Sequence, residues 1–167
     1  GIAGGAFHAG VLAALAEVTG WDPRTADVIV GTSAGSITGA SLRAGLSAPD
    51  LMARSVGRSM SREGERLLAG VGAPMRSSAL RPTASRPPTA IEVASVLARA
   101  AARPFSARPA ALLAGLLPEG SVATDWISSS VGVLHPASWP ERPLWICAVR
   151  KRDGRLVVFG RDEHPPV

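Results

Sequence analysis

The sequence predicts an α/β protein with a parallel sheet, and three observations carry that prediction. Val28, Ile29 and Val30 form a short β-branched run of the kind that makes a buried strand. The run enters Gly31-Thr32-Ser33-Ala34-Gly35, beyond which a helix is expected over 36–44. Ahead of it, a glycine-rich opening leads into a helix expected over 5–18. Glycine loop, helix, strand, corner and helix in that order make a βαβα pattern whose first strand is not in the sequence.

The corner is the most informative stretch. A serine between two glycines at a strand-to-helix turn reads as a nucleophile elbow. Gly31 and Gly35 let the backbone turn sharply and a substrate approach, while Thr32 and Ala34 flank the hydroxyl of Ser33. The helix behind Ser33 aims its positive end at charge developing on a substrate.

In the opening helix, Phe7, Val11, Leu12 and Leu15 recur at helical spacing and mark the face expected to be packed. The loop ahead of it, Gly1-Ile2-Ala3-Gly4-Gly5, exposes backbone amides at a helix start, which makes an anion site. Val11-Leu12 stand where a P-loop needs Lys-Ser/Thr, and the glycine spacing fails the dinucleotide fingerprint. An oxyanion hole built from the amides of Gly1, Ile2, Gly4 and Gly5 remains. His8, early in the helix and without a metal-ligand partner, reads as structural.

Trp21-Asp22-Pro23-Arg24 is a turn closing the first helix. After the corner, Ser47, Pro49 and Asp50 suit the start of a further helix. Residues 70–88, rich in Gly, Pro, Ser and Arg, read as a long mobile loop. Thr89-Ala90-Ile91-Glu92 is a capping box opening a helix that stops before Pro104. Residues 110–117 make an apolar helix and 124–133 a short one. The apolar runs 144–149 and 156–159 read as strands, with Asp153-Gly154 as the hairpin turn between them.

Composition narrows the function classes. A chain of 167 residues with 46% hydrophobic and 19% charged residues has the makings of one globular domain with a core. The net charge of +5 comes from 17 Arg and one Lys spread along the chain, and no zinc, helix-turn-helix or RNA-binding signature accompanies it, so nucleic acid is not an expected partner. Peripheral contact with a lipid surface is compatible with the basic surface. The single Cys147 excludes an internal disulfide, and no metal-spaced cluster or cofactor motif is present. Gly1 is no initiator, so the sequence says nothing of a leader and leaves the compartment open.

At this point the residues resemble a family. Gly1-x-x-Gly4, then Ala9-Gly10-Val11-Leu12-Ala13-Ala14-Leu15, then Gly31-Thr32-Ser33-Ala34-Gly35 resemble the patatin-like phospholipases. That family's pattern is Gly-Gly-Gly-x-x-Gly, a helix with Gly-Val-Leu-x-x-Leu, and a Gly-x-Ser-x-Gly elbow. The resemblance is specific over 1–46 and weaker over 143–162. It implies a three-layer α/β/α sandwich, with 1–167 a single partial domain. It also implies hydrolysis of lipid acyl esters by a Ser–Asp dyad without a cofactor. Gly1 matches the last of the three opening glycines, so the family's first strand and two glycines are expected ahead of it. Ala3 stands where Arg or Lys is common. The family's aspartate lies in a late Asp-Gly-Gly/Ala motif. Asp153-Gly154, the only Asp-Gly, reads as a turn, so the catalytic aspartate is expected beyond Val167 and the 167-residue piece is expected to be inactive alone.

Two other readings compete. An ordinary α/β-hydrolase would pair Ser33 with His135 or His164 and with Asp153 or Asp162. Against it stands the oxyanion loop, only one helix before the corner. A catalytically dead α/β module binding lipid or protein is the other.

Overall fold

The computed structural model describes residues 2–71, 89–91, 93–94, 97–98, 125–136, 139–150 and 155–162. The expected loop beyond Val71, the helix over 110–117, the Asp153-Gly154 turn and His164 lie outside them. The elements are α1 (Ile2–Thr19), a 3-10 turn (Pro23–Thr25), β1 (Ile29–Gly31), α2 (Ala34–Arg43), α3 (Ala48–Val56), α4 (Arg62–Leu67), α5 (Asp125–Leu134), β2 (Leu144–Arg150) and β3 (Arg155–Phe159).

The chain forms two compact units. One comprises Gly1–Ser77, Thr124–Cys147 and Val158–Val167 and carries the corner. The other comprises Ser78–Ala123 and Ala148–Val157. In the second, the backbone is helical at 90–91, 93–94 and 97–98, and the Val93 N–H donates to Thr89 O at 3.0 Å, where the capping box predicts a helix start.

The sheet has strand order β1-β2-β3. β1 pairs with β2 in parallel, in the register Ile29↔Leu144, Val30↔Trp145 and Gly31↔Ile146. The α/β class with parallel pairing is therefore as the sequence predicts. α2 lies flat on these two strands because Gly39 has no side chain: a Cβ there would stand 2.9 Å from both Ile29 Cγ2 and Leu144 Cδ1. The strand alternates rather than being buried throughout. Ile29 and Gly31 turn inward, while Val30 is 59% exposed on the opposite face.

α1 packs on α2 and α3, but not through the expected face. Ala9 is buried and Leu12 joins the core of Leu42, Leu46, Leu51 and Leu68, whereas Phe7 is 69% exposed and Val11 and Leu15 also face outward. The helix is apolar all round, so periodicity alone does not choose a side. Ala9, Gly10 and Ala13 cluster on one side and let a neighbouring helix approach closely, and that smooth side is packed.

Two polar clasps hold the connections. Arg43, at the end of α2, donates to the carbonyls of Arg24 (3.1 Å), Ala26 (2.9 Å) and Pro143 (2.9 Å), tying the approaches to β1 and β2 together. Asp50 joins α3 to α4. Its carboxylate, in a residue only 5% exposed, accepts from Ser47 Oγ at 2.7 Å, Ser61 N–H at 2.7 Å and Ser61 Oγ at 2.8 Å. The same two hydroxyls cap α3 and α4, accepting from the Asp50 and Gly64 N–H groups.

Burial alone would push the Asp50 carboxyl up, but the hydrogen bonds from Ser47 and Ser61, helped by the Arg24 charge, outweigh it and hold the group below its ordinary value. A carboxyl whose folded pKa is depressed stabilises the fold above its unfolded pKa, and that contribution fades as pH falls through the folded value. Asp50→Ala should therefore cost about 2 kcal/mol at neutral pH, because two caps lose their bridge and the Ser61 N–H its acceptor. Asp50→Asn should flatten the acid side of the stability curve below about pH 4. Urea unfolding of the three proteins from pH 3 to pH 7 checks both.

Candidate functional site

The site is the corner between β1 and α2. Ser33 adopts φ 52° and ψ −123°, and it is the one non-glycine residue with positive φ among those described. An L-residue held there is strained, and the surroundings must enforce it. Four contacts do so. The Gly35 N–H donates to Thr32 O at 3.0 Å and the Ser36 N–H to Ser33 O at 3.0 Å, which starts α2 immediately. Thr32 Oγ1 donates to Cys147 O at 3.1 Å, extending the β1–β2 register by one residue and pinning the turn to the sheet. Gly31 supplies the fourth by having no side chain, because a Cβ there would lie 2.6 Å from the Gly35 carbonyl carbon and oxygen and 2.8 Å from Ser36 N.

Ser33 itself is exposed. It occupies the N-cap position of α2, yet its hydroxyl makes no capping hydrogen bond. The group is thus presented to solvent at the carboxyl end of β1, ahead of the first-turn amides of α2.

The opening segment is not the loop that the sequence predicts. Ile2, Gly4 and Gly5 already belong to the first turn of α1, and Gly1 lies outside the described residues. The Ile2 and Gly4 amides keep that chemistry, since the first N–H groups of a helix have no intrahelical acceptor, whereas the Gly5 N–H, on the fourth residue of α1, is the first that the helix itself uses. α1 also reaches the corner: a Cβ on Gly4 would stand 3.5 Å from Ala34 Cβ, beside Ser33. His8 follows one turn later, with its Cε1 3.7 Å from where a Gly35 Cβ would be.

The other ionisable candidates are engaged elsewhere. His135 Nε2 lies 2.9 Å from Ala40 O, so this ring secures α5 to the middle of α2. Asp162 pairs with Arg161 at 2.7 Å on the surface. Asp22 caps the 3-10 turn and grips Arg24 at 2.8 Å; that guanidinium holds its carboxyl below the ordinary value against a smaller cost of burial. Asp27 is exposed at the opposite end of β1 from Ser33. Among the described residues no three His, Cys, Asp or Glu side chains form a metal cluster, and no helix is long and apolar enough to cross a membrane.

Sequence reasoning misses the Thr32–Cys147 tie and the contact of His8 with the corner. The only available signal for the second is position: 4 and 8 share a face of α1.

A strand–serine–helix corner on a parallel strand pair, with the start of a second helix against it, defines an α/β protein. The family model of the patatin-like phospholipases matches residues 1–134. The chain belongs to that family, and with it to a group of lipid acyl hydrolases. No curated protein and no solved structure matches it significantly.

Proposed function

We propose that this protein hydrolyses lipid acyl esters, with Ser33 as the nucleophile. The observation that carries the reading is the strained, exposed and unbonded Ser33 at the corner. Strain of this kind survives only where the surrounding structure enforces it, and it projects a hydroxyl beyond the sheet edge.

The reaction is two-step acyl transfer. Ser33 Oγ attacks the ester carbonyl while its proton passes to the aspartate of the family's dyad. The oxyanion is held by amides of the α1 start (Gly1, Ile2 and Gly4) together with the N–H of Ala34. Collapse expels the alcohol, and water then cleaves the acyl-serine to release the fatty acid. Gly31, Thr32, Ala34 and Gly35 hold the corner in shape. Ala3 brings no cation, so dipoles rather than a charge act on the oxyanion. Asp22, Asp50 and Asp162 are committed elsewhere and Asp27 stands at the wrong end of its strand, which supports an acceptor supplied by the family's late aspartate rather than by any of these four.

A fluorophosphonate probe on the full-length protein tests this. The probe should label Ser33, and Ser33→Ala should lose the label together with about 10⁴-fold or more of the ester hydrolysis. Hydrolysis that survives Ser33→Ala would sink the reading. A wild-type protein that binds lipid vesicles but neither reacts with the probe nor turns over ester would point instead to the binding module.

A further inference from the structure

His8 is placed where a packing residue would serve, yet it is polar. Its ring faces the first turn of α2, with Cε1 3.7 Å from where a Cβ on Gly35 would stand, and is edge-on to Phe7 at 6.2 Å between centroids. Gly35 is two residues beyond Ser33, and the Gly4 contact with Ala34 brings the same side of α1 to the residue in between. Nδ1 of His8 is buried with no hydrogen-bond partner, and no other described side chain has such an atom. Buried polar atoms are paired as a rule, so an exception beside a strained corner asks for a reason. Elsewhere along the packed side of α1 the same job is done by Ala9 and Leu12, which leave nothing unpaired.

The Ser33 hydroxyl, on the turn that the His8 ring faces, makes no capping hydrogen bond. An unpartnered imidazole nitrogen therefore lies in the ring that stands beside the turn carrying the Ser33 hydroxyl. We propose that His8 is a positioning residue for Ser33: its Nδ1 engages the 33–36 turn during the reaction and holds the corner in its reactive form. The proposal rests on Ser33 being the nucleophile. It assigns His8 no contact with the substrate.

An isosteric pair separates a polar role from packing. His8→Asn keeps a polar atom close to the position of Nδ1, whereas His8→Leu has nearly the same shape and none. In the full-length protein, with a short-chain p-nitrophenyl ester as substrate, His8→Leu should lose about 10–100-fold in kcat with KM little changed, the size of effect that misplacing a reacting group produces. His8→Asn should recover at least about tenfold of that loss, and fluorophosphonate labelling rates should follow kcat. Equal kcat in the two variants, or a Leu variant as active as wild type, overturns the proposal and leaves His8 as packing. Circular dichroism and thermal unfolding establish that both variants fold. Should Leu fail, His8→Phe, which keeps a ring without nitrogens, takes its place with the same two outcomes. Activity that persists in Ser33→Ala would instead remove the nucleophile reading beneath it, and that result is distinct from any outcome at His8.

Discussion

Ser33→Gly is expected to abolish ester hydrolysis and, at the same time, to raise the thermal midpoint. At φ 52° and ψ −123° a side chain costs on the order of 1–3 kcal/mol, and glycine removes that cost. Glycine also loses more chain entropy on folding, which takes back about 0.5–1 kcal/mol. The balance favours the variant by about 1 kcal/mol, or roughly 2–4 °C for a chain of this size. Ser33→Ala keeps the Cβ and hence the strain, so it should lose the activity without the gain in stability. Calorimetry of the two variants beside wild type reads the difference directly. A glycine variant that melts below the alanine variant would mean that the corner stores no strain, and the case for a presented nucleophile would weaken with it. At an ordinary helix cap the signs would be reversed, because there Ser→Gly only removes a stabilising group.

Gly31→Ala should do more damage to the serine corner than a methyl group at Gly35. The three atoms it would meet, at 2.6, 2.6 and 2.8 Å, are all backbone, so no rotamer change relieves the clash. Either the end of β1 or the start of α2 must move by several tenths of an ångström. The expected cost is about 3 kcal/mol of stability, and a shift of that kind at Ser33 should lower turnover by about 100-fold. The matching control is Gly132→Ala in α5, where an added Cβ meets nothing within 4 Å. There alanine should stabilise the helix by about 0.5–1 kcal/mol and leave hydrolysis alone. Denaturant unfolding and ester turnover of both variants settle the comparison. Similar behaviour of the two would contradict the close packing inferred at the corner.

These expectations differ for residues that the sequence pattern treats alike. In Gly-x-Ser-x-Gly both glycines read as turn formers. The structure assigns the steric demand to Gly31 alone, because a Cβ on Gly35 would meet His8 Cε1 at an ordinary 3.7 Å. No spacing rule separates them. The difference lies in which backbone passes behind each Cα, and that depends on how α2 leaves the strand.

Much of the frame was legible nonetheless. Local chemistry announces the start of α3, where Ser47 accepts from the Asp50 N–H at 3.2 Å and Pro49 fills the first turn. The apolar runs near the end of the chain become β2 and β3, and the short helix expected over 124–133 becomes α5. α4 carries its own signals in Ser61 and the acidic first turn of Glu63 and Glu65, although six residues are too few for periodicity to register. Such features depend on neighbours three or four residues apart, and a sequence displays those neighbours in full.

The strand, the serine corner and the family are thus written in the chain itself, because turn chemistry, caps and β-branched runs act over a few residues. Long-range approach decided the rest. It turned the smooth side of α1 toward its neighbours and left Phe7 outside. It bent one carboxylate, Asp50, across two helix starts, and ran Arg43 to the Pro143 carbonyl, 100 positions away. It also set Gly4 and His8 against the turn that carries Ser33. Contacts of that kind follow from where whole elements come to rest, and a linear order of residues holds no record of those distances.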